Sequence, residues 1–129
     1  MADVVFDSSA ILALLHREPG ADIVLQHAGN AIVSAVNLGE LGARLVEHGM
    51  PEDDVRAVVG AVGVDIVPFD EDQAYASAFL RRATHARGLS LGDRACLALA
   101  KSRGLPALTA DRIWAELEIG IEIRLIRGN

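Results

Sequence analysis

Val4-Val5-Phe6-Asp7-Ser8-Ser9-Ala10 reads as three residues of strand character running into an acid, followed by a serine pair that opens an apolar helix. Asp7 therefore stands at the carboxyl end of a strand. In open α/β sheets that edge is where ligands and chemistry gather. The fold thus turns on whether the rest of the chain repeats this strand-then-helix pattern, and the function on whether other acids reach the same edge.

Working outward, residues 8–16 have helical spacing, Pro19-Gly20 supplies a turn, and a second helical segment runs from Ala21 to Ala28. Ala31–Ala35 is the second strand. Val36–His48 is helical because Leu38, Leu41 and Leu45 share a face, and Gly49 with Pro51 ends it. Pro51 opens another helix reaching Gly63, its first turn filled by Glu52, Asp53 and Asp54, which complement the helix dipole. Asp65–Val67 is a third strand. Asp70 and Gln73 form a capping-box pattern for one helix to Arg87, and Ser90 with Asp93 opens the next, which Gly104 stops after Arg103. Pro106–Ala110 makes a fourth strand ending in Asp111, a short helix surrounds Trp114, and Ile121–Ile126 is the last strand. Strands alternating with helices predict a three-layer α/β/α sandwich around a mostly parallel sheet, as one domain over residues 1–129.

Composition narrows the class. With 129 residues, about half of them apolar, the chain can bury one ordinary core. No run approaches the roughly 18 apolar residues of a membrane span, and the amino terminus lacks the basic start of a secretory signal. The reading is a cytoplasmic protein. Cys96, the only cysteine, excludes an internal disulfide or a multi-cysteine zinc site and reads as a core residue.

The net charge of −6 argues against bulk attraction to nucleic acid, but the charge is uneven. Three arginines face eleven acids through Asp70, whereas Arg81 to Arg112 carries seven cations against Asp93 and Asp111 alone. This belt makes Arg82, Arg87, Arg103 and Arg112 candidates for contact with a phosphate backbone, although a basic helix face is more often simply solvated.

Each acid has a structural explanation as well as a chemical one. Asp7 is a good N-cap for the helix after it. Asp93 completes a Ser-x-x-Asp capping pattern with Ser90, yet shares a helix face with Cys96, Leu97 and Ala100, where an unpartnered charge is costly. Asp111 repeats the strand-then-acid arrangement and caps the helix around Trp114. Glu40, by periodicity alone, is a solvated glutamate pointing away from the leucine stripe, in reach of Arg44.

Collectively, all four are expected to reach one edge of a parallel sheet. Carboxylates about 4 Å apart repel by on the order of 4 kcal/mol per pair at an effective dielectric of about 20, so such a cluster needs a proton or a cation. Oxygen-only ligands select Mg²⁺ or Mn²⁺ over zinc, and acidic sites of this kind serve phosphodiester hydrolysis.

Four segments then resemble a known family, the PIN domain, and within it the VapC-type toxin ribonucleases of bacterial toxin–antitoxin pairs. Val5-Phe6-Asp7-Ser8-Ser9-Ala10 is similar to its opening and Ser34-Ala35-Val36-Asn37-Leu38-Gly39-Glu40-Leu41 to its second motif. Leu89 to Ala100, around Asp93, resembles the third, and Leu108-Thr109-Ala110-Asp111-Arg112 the fourth. The resemblance implies that Asp7, Glu40, Asp93 and Asp111 hold one or two Mg²⁺ or Mn²⁺ ions, with Thr109 and Ser9 hydrogen-bonding to the site. It also implies metal-dependent RNA cleavage, homodimers and a cognate VapB-type antitoxin. Gly39 and Gly92 stand where the family often has alanine.

Other readings are weaker. His16, His27, His48 and His85 form no constellation for metal-free cleavage. A receiver-like phospho-accepting domain wants adjacent acids after the first strand and a lysine near the last; here serines follow Asp7, and Lys101, the only lysine, lies within a helix. A non-catalytic binding domain leaves the four acids unexplained.

Overall fold

The computed structural model describes residues 1–128; Asn129, the last residue of the predicted domain, lies outside them. Five short strands, β1 (Val4–Phe6), β2 (Ala31–Ser34), β3 (Asp65–Val67), β4 (Ala107–Thr109) and β5 (Ile123–Leu125), form one sheet in the order β3-β2-β1-β4-β5. Every pairing is parallel. The helices are α1 (Ser8–Leu15), α2 (Ala21–His27), α3 (Ala35–Glu47), α4 (Glu52–Val62), α5 (Glu71–Phe79), α6 (Arg81–Thr84) and α7 (Leu91–Arg103). No helix among the described residues is long and apolar enough to cross a membrane.

Alternation along the buried strands creates the three layers. Val4 and Phe6 of β1 join Ile11, Val24, Val33, Leu41 and Leu108 in a core under α1 to α4. Val5, between them, points the other way and joins Ile32, Leu97, Leu99, Ala107 and Trp114 under α7. The chain builds β1, β2 and β3 toward one edge, then crosses to β4 and β5 on the other side of β1. That reversal opens a crevice at the carboxyl ends of β1 and β4. The turn before α2 packs on the segment after β5 through Gly20: its φ is +98°, and a Cβ there would meet the Ile126 carbonyl oxygen at 2.5 Å.

Most expected elements appear within a residue or two of their predicted bounds, with two corrections. The helix expected from Asp70 to Arg87 is broken into α5, α6 and a 3₁₀ turn, His85–Arg87. Within it the buried Thr84 hydroxyl donates to the Leu80 carbonyl at 2.8 Å, a back-bond that competes with regular helix geometry. The buried face of α3 is Asn37, Leu41 and Leu45, so the stripe carries an amide where Leu38 was expected; Leu38 is only half-buried.

Candidate active site

The register of β1 and β4 assembles the centre of the site. Phe6 pairs with Leu108, so Asp7 and Thr109 emerge side by side, and the Asp7 amide donates to the Leu108 carbonyl at 3.0 Å. Asp7 is 4% exposed. It occupies the N-cap position of α1, but its side chain makes no cap hydrogen bond, which corrects the capping explanation. Instead its Oδ2 accepts from Ser9 Oγ at 2.7 Å and from Thr109 Oγ1 at 2.9 Å. Both supporting residues expected from sequence therefore touch it. Thr109 Oγ1 also accepts from the Asp111 amide, and Ser9 Oγ from the Ala110 amide, each at 3.0 Å.

Glu40 corrects its periodicity reading. It is half-buried and makes no ion pair with Arg44 among the described residues. Its Oε1 accepts from Asn37 Nδ2 at 3.1 Å and from Ser8 Oγ at 3.3 Å. Asp93 is half-buried at the start of α7 and completes the expected capping box: Ser90 N donates to Asp93 Oδ2 at 2.9 Å and Asp93 N to Ser90 Oγ at 3.2 Å. Asp111 is exposed and caps the turn Arg112–Glu116, its Oδ1 accepting from Ile113 N at 3.0 Å.

All four acids line one cleft of about 630 Å³. Each carboxylate has one oxygen tied by the hydrogen bonds just described, while Asp7 Oδ1, Glu40 Oε2, Asp93 Oδ1 and Asp111 Oδ2 accept none from the described residues. Capping and site chemistry thus coexist in Asp93 and Asp111, one oxygen for each. The Asp7 carboxyl is raised from 3.8 to about 6. Burial is the main cause, the Ser9 and Thr109 bonds oppose it, and the charges of Asp93 and Glu40 add to it.

These donors suit a hard divalent ion. They are oxygen-only, oriented by hydrogen bonds and carry an excess of negative charge. Among the described residues no three His, Cys, Asp or Glu side chains stand close enough to form a ready-made cage. Mg²⁺ does not require one, since it keeps several waters and is typically bound through one or two carboxylates.

The predicted cations are elsewhere. Arg82, Arg87, Arg103 and Arg112 are exposed and none lines the cleft; Arg87 pairs with Glu116 at 2.7 Å. Arg44 and Arg127 line it instead. Sequence reasoning also missed Ser8 and Asn37. The signal for Asn37 was present, as a lone amide four and eight residues before leucines on a buried helix face.

This arrangement belongs to a known class: the PIN domain family model matches residues 4–120, and the chain belongs to that family. Among solved structures, it is similar to a DNA-bound VapBC complex from Salmonella typhimurium, with a TM-score of 0.77, 20% identity and coverage of 98% of this chain and 100% of that one. It is also similar to the toxin–antitoxin protein VapBC-5 from Mycobacterium tuberculosis (0.57, 26%, 99% and 100%). A third likeness is to VapC20 of the same organism, a toxin that cleaves the sarcin-ricin loop (0.72, 17%, 93% and 99%). No curated protein sequence matches the chain.

Proposed function

We propose that this PIN domain is the toxin of a toxin–antitoxin pair, an endoribonuclease that hydrolyses RNA phosphodiester bonds with Mg²⁺ or Mn²⁺ held by Asp7, Glu40, Asp93 and Asp111. The observation that carries this reading is the set of four carboxylates in one cleft, each tied through one oxygen and free at the other. A bound divalent ion supplies charge neutralisation and a more acidic attacking water. The chain's part is orientation. Ser9 and Thr109 hold Asp7, Ser8 and Asn37 hold Glu40, and the first turn of α7 holds Asp93, so the ligating groups are fixed before substrate arrives. Arg44 and Arg127 in the cleft, with the exposed Arg82, Arg87, Arg103 and Arg112 outside it, are the candidates for the RNA backbone.

A VapB-type antitoxin is the proposed partner, because similar solved structures are toxin–antitoxin complexes; the toxin is proposed to act as a homodimer. The purified protein is expected to cut RNA with Mg²⁺ or Mn²⁺ and leave 5′-phosphate ends, since water attacks the phosphorus directly. Undiminished cutting in excess EDTA, or 2′,3′-cyclic phosphate ends, would overturn the reading.

A further inference from the structure

Asn37 and Gly92 belong to none of the four acids, yet both are built around Glu40. We propose that they form a latch that sets where the Glu40 carboxylate lies relative to Asp93, and through it the affinity of the cleft for its divalent ion; the inference rests on the metal-site reading above.

Asn37 is fully buried. Its Nδ2 donates to Glu40 Oε1 at 3.1 Å and to the Gly92 carbonyl at 3.0 Å. Both partners are acceptors, so only the NH₂ side of the amide can face them. One side chain thus joins the helix that carries Glu40 to the first turn of the helix that carries Asp93. Among the described residues its own Oδ1 is buried without a partner. Leucine serves one and two turns further along the same face, at Leu41 and Leu45, whereas the amide leaves an atom unsatisfied. What it gains there is the pair of bonds.

Gly92 supplies the space. A Cβ on Gly92 would overlap the Glu40 carboxylate, whereas one on Gly39 would meet nothing within 4 Å. Of these two helical glycines only Gly92 has a consequence here: alanine would send Glu40 along another path. The obstructing atoms are the end of a flexible side chain and not backbone, so the fold tolerates the change and the carboxylate moves. Alanine is also the better helix former. Helix stability and ion affinity are therefore expected to move in opposite directions.

The test is calorimetric titration of the full chain with Mn²⁺, beside melting in EDTA, for wild type, Asp7→Asn, Asn37→Ala, Gly92→Ala, Glu40→Ala and the Gly92→Ala/Glu40→Ala double variant. Gly92→Ala is expected to melt at or above wild type and to bind Mn²⁺ roughly tenfold more weakly, the scale typical of groups that orient a metal ligand. Asn37→Ala is expected to weaken binding similarly. In the Glu40→Ala background Gly92→Ala is expected to add nothing, because its effect passes through that carboxylate. Wild-type affinity in Gly92→Ala, or a loss that adds in full to that of Glu40→Ala, would refute the latch while leaving the metal site standing. A wild-type protein that takes up no Mn²⁺ would remove the metal site and the latch together.

Discussion

Replacing Asp7 by asparagine is expected to make the ion-free protein more stable at neutral pH while abolishing activity. The unfolded carboxyl titrates near 3.8 and the folded one near 6, burial being the main cause. Below about pH 4 it is protonated in both states and the site costs nothing. As pH rises from about 4 to 6 the unfolded chain releases its proton and the folded chain keeps it, so stability falls. Above about pH 6 the full cost applies, roughly 3 kcal/mol at about 1.4 kcal/mol per pH unit. Asparagine carries no charge, and its amide oxygen can still accept from Ser9 and Thr109. In EDTA at pH 8 the variant is expected to gain up to about 3 kcal/mol, roughly 10 °C of melting temperature for a chain of this size, with the advantage gone by pH 4. Saturating Mn²⁺ is expected to reverse the order, since wild type gains binding energy that the variant, short of one ligand, does not match: about 4.1 kcal/mol at an ion concentration 1,000 times Kd, more than the roughly 3 kcal/mol cost. Melting curves from pH 4 to 8, with EDTA and with Mn²⁺, check this. An Asp7→Asn protein no more stable than wild type at pH 8 in EDTA would refute the account of a carboxylate kept at a cost for its ion.

Two further expectations follow from the same contacts. Thr109→Val removes a buried hydroxyl that donates to Asp7 Oδ2 and accepts from Asp111 N. It is expected to cost about 1–3 kcal/mol in chemical denaturation, and to move the acid limb of the cleavage–pH profile upward, because the lost bond holds the Asp7 carboxyl down; an unmoved limb would count against this assignment. Cys96 is fully buried, and burial together with the charges of Asp7, Asp93 and Glu40 raises its thiol well above the ordinary value. The native protein is thus expected to resist a thiol reagent and to label only on unfolding; prompt labelling of native protein would contradict it.

Much of the architecture was legible because its signals are local. Three apolar residues before Asp7, Gly49 with Pro51 after α3, Ser90 with Asp93, and Gly104 after α7 are readable within a few positions, and each marks an element boundary. The split between α5 and α6 was not readable, since a threonine back-bond is one rotamer choice among several in the sequence. Glu40 was misread for a related reason: periodicity reports which side of a helix a residue occupies, whereas its long side chain bends to Asn37 and across Gly92.

By itself the sequence determined that strands and helices alternate, that Asp7 and Asp111 stand at strand ends, and that Glu40 and Asp93 lie within the first two turns of helices. Which oxygen of each acid is held and which is free came only from the tertiary structure. Asp7 and Thr109 lie 102 residues apart and meet through the β1–β4 register; Asn37 and Gly92 lie 55 apart and meet where α3 packs beside α7. Hydrogen bonds of this kind depend on distances of a few tenths of an ångström between segments far apart in the chain. Residue spacing along one segment carries no information about them.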